Sequence, residues 1–178
     1  MPSAFTHAVA SIALGRAYTT RSVPVRFWVL SSVCAVAPDI DVLANRLGYD
    51  HTTMFGHRGV THSFLFAILL SGLVVLLFFR KPVEGMISRL SLFAFFFLAT
   101  ASHSVLDAMV DGTLGVAFFA PFSPGRFFLP WRPIASSPIG LAFFSSAGAA
   151  TLLNEIVWVW VPSLMVLIAP WLRSRFKR

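Results

Sequence analysis

Five histidines and seven acidic residues are few for a chain of 178, but most of them fall in short clusters that could do metal chemistry. His7 stands in Phe5-Thr6-His7, near the start of the chain. Pro38-Asp39-Ile40-Asp41 sets two carboxylates two residues apart, directly after an apolar run. His57-Arg58-Gly59-Val60-Thr61-His62-Ser63 sets two imidazoles five residues apart, and Gly59 permits the bend that would let both reach one ion. His103-Ser104-Val105-Leu106-Asp107 has the i, i+4 spacing that puts both side chains on one helix face, and Asp111 extends that face by four more residues. Each cluster has an ordinary alternative. Pro-Asp is common in turns, a lone histidine can sit at a helix end, and a helical His–Asp pair can be a plain hydrogen bond. Carboxylates and imidazoles beside apolar helices are nevertheless costly to bury unless paired, and a divalent cation is a pairing partner. Cys34 is the only cysteine, which excludes an intramolecular disulfide and a Cys-rich zinc site.

Three further residues could serve such a site. Glu155 opens the last apolar segment and could be a ligand, a general base, or an interfacial carboxylate favoured by the helix dipole. Arg126 and Arg132, in a proline-rich connection, could hold anionic groups or merely touch lipid headgroups. His51 lies near the third cluster without a comparable setting and reads as peripheral.

The elements that carry these groups are apolar helices. The chain is 57% hydrophobic and 12% charged, with a mean hydropathy of +0.78, too little charge to cover a soluble domain. Nineteen Phe and five Trp suit lipid-facing surface and interfacial belts. Val60–Phe79 and Leu90–Val110 have about 20 residues each, enough to cross a hydrocarbon core of about 30 Å. Thr151–Leu172 is a third span, with Glu155 at a polar start and a kink expected at Pro162. Ala4–Tyr18 and Val25–Ala37 are shorter helices that could cross a thinned bilayer. Residues 139–150 could re-enter the membrane or extend the last helix. The expectation is an all-α, polytopic integral membrane protein of about five spanning or near-spanning helices, forming one domain over residues 1–178, with no cleavable signal peptide.

Charge orders these helices. Arg16, Arg21 and Arg26, then Arg80, Lys81 and Arg89, then Arg173, Arg175, Lys177 and Arg178 follow alternate segments, ten of the fourteen basic residues. Alternation places all three groups on one face, cytoplasmic by the positive-inside rule. The net charge of +7 therefore records topology, and no nucleic-acid partner is expected. The opposite face receives all five histidines and six of the seven acidic residues, Glu84 being the exception. Helix counting did not require that convergence. It implies a metal site at the non-cytoplasmic end of the bundle.

The motif order Thr-His, Ala-Pro-Asp-Ile-Asp, His-Arg-Gly-x-Thr-His-Ser, Ser-His-x-x-x-Asp and Ala-Pro-Phe-Ser resembles the YdjM-like family of bacterial inner-membrane, metal-dependent hydrolases, of LexA-regulated type. The likeness runs from His7 to about Ser123. Thr-His and Pro-Asp-Ile also resemble, more weakly, zinc-dependent phospholipase C sites. On matching positions the resemblance implies His7, Asp39, Asp41, His57, His62, His103 and Asp107 as metal ligands. Seven ligands exceed the four that one zinc takes and suit two ions about 3.5–4 Å apart. Zinc is favoured, with manganese or iron as alternatives. The expected activity is hydrolysis of a phosphoester or ester in a lipid-like, amphiphilic substrate by a metal-activated water. Asp111 or Glu155 would be base, and Arg58, Arg126 or Arg132 would hold phosphate. The rivals are a divalent-metal transporter and a metal-binding membrane protein without turnover. Transport needs polar groups along a path, and the spans are Phe, Leu and Val. Substrate, metal and oligomeric state stay open.

Overall fold

The computed structural model describes residues 1–19, 22–43, 48, 50, 53–80 and 88–175, with side chains described as far as residue 169. The readings made for Arg21, His51, Lys81, Glu84, Lys177 and Arg178 lie outside the described residues.

Helix α1 is Ala4–Tyr18, with the bounds its apolar run predicts, and it ends where Thr19 turns extended. Helix α2, Val25–Val36, follows Pro24 and tightens into a 3₁₀ turn, Ala37–Asp41. Pro38 sits in the first positions of that turn, where a missing N–H costs little. Helix α3, Phe64–Phe78, starts later than expected. Val60–His62 forms a separate 3₁₀ turn, and the Ser63 hydroxyl caps the helix by accepting the Phe66 N–H at 3.1 Å. His62 therefore lies just before the helix rather than on its first turn.

Helix α4, Arg89–Ala108, is capped by Ser88 and departs from the expected span by two residues at most. The last rod, α5, combines Ser146–Glu155, a wide π turn at Ile156–Trp160, and Val161–Arg175. Residues 139–150 are thereby divided: Gly140–Phe144 is a 3₁₀ turn, and from Ser146 the chain already belongs to α5. The π turn falls directly before Pro162, where a widened turn relieves the clash of the proline ring with the preceding turn.

The described residues are all-helical, without strands. Two helical stretches are long and apolar enough to cross a membrane: Arg89–Ala108 and Ser146–Ala169. Phe64–Phe78 is apolar but shorter, about 22 Å at 1.5 Å per residue.

Helix α4 is the centre, packed by α1, α2 and α3, while α5 packs along α1. At the start of α4, Phe27, Phe79, Phe95 and Phe96 form an aromatic core with Cys34 and Leu92, and the Phe27 and Phe95 rings stack at 4.5 Å. Gly15 lets α2 approach α1, since a Cβ there would lie 2.7 Å from the Trp28 ring. Arg26 lies over the Phe79 ring at this end, where Arg89 also donates to the Arg80 carbonyl. The other end of α4 carries His103 and Asp107. Outward faces are apolar: Leu69, Leu76 and Leu153 are each more than 60% exposed.

The connection from α4 to α5 folds over the polar end. Phe64 N–H donates to the Phe118 carbonyl, Ala117 N–H to Arg58 and Leu129 N–H to Ala108. Isolated bridges pair Val110 with Ile134 and Val116 with Phe127.

Candidate metal centre

Four segments bring donors to one point: α1 with His7, the turn after α2 with Asp39 and Asp41, the segment before α3 with His57 and His62, and α4 with His103 and Asp107. All but Asp39 are buried. His7, His103 and Asp107 offer ligand atoms within 4.8 Å of one another, and so do Asp39, His57 and His62. The His7 and His103 rings stack at 3.7 Å, and His62 Nε2 lies 3.0 Å from His103 Nε2. Asp107 Oδ2 is 3.4 Å from His62 Nε2, and Asp39 Oδ1 is 3.3 Å from His103 Nε2.

The local chain explains each placement. His57 and His62 meet because Gly59 bends the segment tightly: a Cβ there would sit 2.0 Å from the Met54 carbonyl oxygen, and the Val60 N–H closes the loop onto that oxygen at 2.8 Å. Arg58 takes a left-handed φ of 60° inside this bend, a costly conformation for a side chain with a Cβ. Its N–H is held by Asp41 Oδ2 at 3.0 Å and its carbonyl accepts from Ala117. His103 is oriented by the Ala35 carbonyl, which accepts from Nδ1 at 2.7 Å. In 3₁₀ register the partner of that carbonyl would be the N–H of residue 38, which proline lacks. Pro38 thus leaves the acceptor that aims His103.

Asp41 stands behind the imidazoles. It accepts from His57 Nδ1 at 2.8 Å, from His62 Nδ1 at 3.0 Å, and from the Thr61 hydroxyl at 2.9 Å. Burial pushes its carboxyl up, but the hydrogen bonds from His57 and His62 outweigh that and hold it well below the usual range. His62 is the counterpart. Burial pulls its imidazole down, yet the carboxylates of Asp107 and Asp41 raise it to about 9. With Nδ1 of both His62 and His103 committed to acceptors, their Nε2 atoms point lone pairs at each other unless a proton or a cation lies between.

The donor set fits a metal on one further observation. Both nitrogens of His7, both oxygens of Asp39 and Asp107 Oδ1 are buried with no hydrogen-bond partner. Orphaned buried polar atoms are rare and costly. Here they belong to His7, Asp39 and Asp107, each of which offers one ligand atom to a group that could hold a divalent cation.

The other predicted site residues are engaged elsewhere. Arg58 is buried, with Nε on Asp107 Oδ2 at 3.0 Å and Nη1 on the Leu114 carbonyl. Arg126 clamps backbone, donating to the carbonyls of His57, Arg58 and Gly115 from Nη1 and to that of Thr53 from Nη2. Arg132 lies over the Phe128 ring and donates to Gly112. Asp111 is exposed and accepts the Ser136 N–H. Glu155 is fully buried and accepts from Ser3 N at 2.8 Å and from the Ser3 and Thr6 hydroxyls at 2.5 Å, while Trp160 donates to Thr6. It ties α5 to the start of α1, one residue from His7. Ser3, Thr6, Thr61 and the Ala35 carbonyl escaped the sequence reading. Thr6 and Thr61 stand in the motifs quoted above without a role, and the Ala35 carbonyl is signalled by the proline three residues on.

The sequence model of the YdjM inner membrane protein family matches residues 1–176. The chain belongs to that family. Inner membrane protein YbcI of Escherichia coli (strain K12) is 33% identical over 176 residues, which cover 98% of this chain and 100% of the relative. No solved structure matches. Family and relative are inner-membrane proteins by description, which agrees with the apolar outer faces of α3 and α5. The family match extends beyond Ser123, where the recognised motifs stop, and includes all of α5.

Proposed function

We propose that the chain is a multi-pass inner-membrane hydrolase that uses a two-ion metal centre on a phosphoester or ester of an amphiphilic, lipid-like substrate. The observation that carries it is the pair of Nε2 atoms at 3.0 Å among orphaned carboxylate and imidazole atoms. His7, His103 and Asp107 would hold one ion. Asp39, His57 and His62 would hold the other, with zinc the best match to the donors. A divalent cation there supplies Lewis-acid polarisation of the substrate and an acidified water.

The protein's own groups have separable tasks. Asp41 keeps the Nδ1 protons of His57 and His62 in place, so that Nε2 is the donor atom of each. Arg58 neutralises Asp107 and fixes its outer oxygen. Asp39 has two oxygens without a hydrogen-bond partner, where Asp107 has one of its oxygens held by Arg58. It is better placed to take a proton from water than Asp111 or Glu155, whose oxygens serve Ser136, Ser3 and Thr6. The buried triad suits a closed, structural ion, and the Asp39 side the open, reactive one.

Transport is disfavoured by the aromatic plug below the centre, where Phe27, Phe79 and Phe96 are fully buried. We place the centre at the non-cytoplasmic face, with Arg16, Arg26, Arg80 and Arg89 at the opposite helix ends. The test combines metal analysis with a hydrolysis screen over phospholipids and soluble phosphoesters. Metal-loaded wild type should turn over a member of the panel, and His62→Ala and Asp107→Ala should lose at least 100-fold. Wild-type turnover in both variants would sink the assignment.

A further inference from the structure

Helices α2 and α3 both pack on α4 and hardly on each other. The gap between them is an open groove of about 840 Å³, within the ~300–1,000 Å³ usual for small-molecule sites. Val33, Val36, Phe66 and Leu70 wall it, and apart from Ser32 and Asp39 every lining side chain is apolar. Its mouth lies on the outer surface, where Val33 is 56% and Ile40 60% exposed.

Two observations say what fills it. The surface around the mouth is itself apolar, with Leu69 on α3 63% exposed, so in a bilayer the groove opens onto hydrocarbon rather than water. Its polar end is Asp39, whose two oxygens have no hydrogen-bond partner and whose Oδ1 lies 3.3 Å from His103 Nε2. The groove therefore joins lipid at one end to the donor cluster at the other. A ligand matching both ends has a hydrocarbon chain and a polar linkage. A wholly water-soluble phosphoester would leave the walls bare.

We infer that the α2–α3 groove seats one hydrocarbon chain of a membrane lipid, which enters sideways from the leaflet and brings its polar linkage to Asp39. For the fate of that linkage the inference rests on the hydrolase reading above; the chain seat does not depend on it. Preference for long chains over short ones follows from the length of apolar wall brought into van der Waals contact.

The test uses metal-loaded full-length protein in nanodiscs containing phosphatidylglycerol with a photoactivatable diazirine on one acyl chain. Crosslinks are expected in the Val33–Ile40 and Phe66–Leu70 peptides. Val33→Trp and Leu70→Trp should cut that labelling at least fivefold and slow hydrolysis of long-chain substrate, with metal content and turnover of a short-chain analogue kept. Leu69→Trp, which lies outside the lining, should label as wild type. Wild-type crosslinks scattered over the lipid-facing surface, or Trp variants that keep metal and label like wild type, would overturn the chain seat, whatever the hydrolysis data say. Labelling confined to the groove without turnover of any ester or phosphoester would keep the seat and remove the hydrolase reading.

Discussion

Asp41 shows how one residue controls two imidazoles at once. Its two oxygens accept from His57 Nδ1 and His62 Nδ1, fixing both tautomers. Asp41→Asn should leave the helices intact and weaken metal binding about 10–100-fold, the usual cost of losing such a partner. Chelator competition measures it, and unchanged affinity would remove Asp41 from the centre. His62 gives the pH dependence. Its metal-free imidazole, raised to about 9 against an unfolded value near 6.5, contributes stability that is full below about 6.5 and fades as pH rises through 9. Metal must displace that proton, so binding should tighten by up to about tenfold per unit from pH 6.5 to 9, with proton release seen by calorimetry. A flat profile would mean that His62 is not a ligand.

The convergence of those side chains was legible because their types and spacing are chemical. The partners of the arginines were not. Arg58 and Arg126 read from sequence as phosphate binders, yet Arg58 is buried on Asp107 and the Leu114 carbonyl, and Arg126 donates to the carbonyls of the bend around Gly59. A sequence states charge, whereas which acceptor is nearest depends on a long connection folding back.

At the scale of elements, boundaries followed the apolar runs wherever a cap or proline marked them. Ala4–Tyr18 and Arg89–Ala108 needed little else. The start of α3 was misjudged because Val60 and Thr61 read as apolar helix, while Ser63 is the cap that decides. Glu155 is more instructive. An acid at the start of a span looks catalytic or interfacial, yet it joins α5 to α1 through Ser3 and Thr6, contacts 149 to 152 residues apart in sequence. Glu155→Leu strands those donors and should cost about 1–3 kcal/mol, read as a lower Tm in detergent. Because His7 follows Thr6 directly, metal affinity should fall in the same variant. An unchanged Tm would mean that the latch is not formed.

For the whole molecule, the polarity of the bundle is the result to test. Donors gather at one end of α4, and Arg26, Arg80 and Arg89 at the other. Reporter fusions after Lys81 and after Pro124 should report opposite sides of the membrane, with the first cytoplasmic. Both on one side would overturn the proposed orientation. Alternation of basic loops made this end-to-end separation readable from sequence. The number of full crossings was less so, since length on paper ignores where a turn or cap shortens the rod.

The latch also has a history within each molecule. Every candidate ligand lies between residues 7 and 107, whereas Glu155 comes 48 residues after the last of them. At about 5–20 residues per second of synthesis, that interval is roughly 2–10 s. Nascent chains thus carry a complete set of donors, with Ser3 and Thr6 still undocked, before the last helix arrives. For the proposed centre, the order of synthesis would give an ion a window for loading before the Glu155 latch forms.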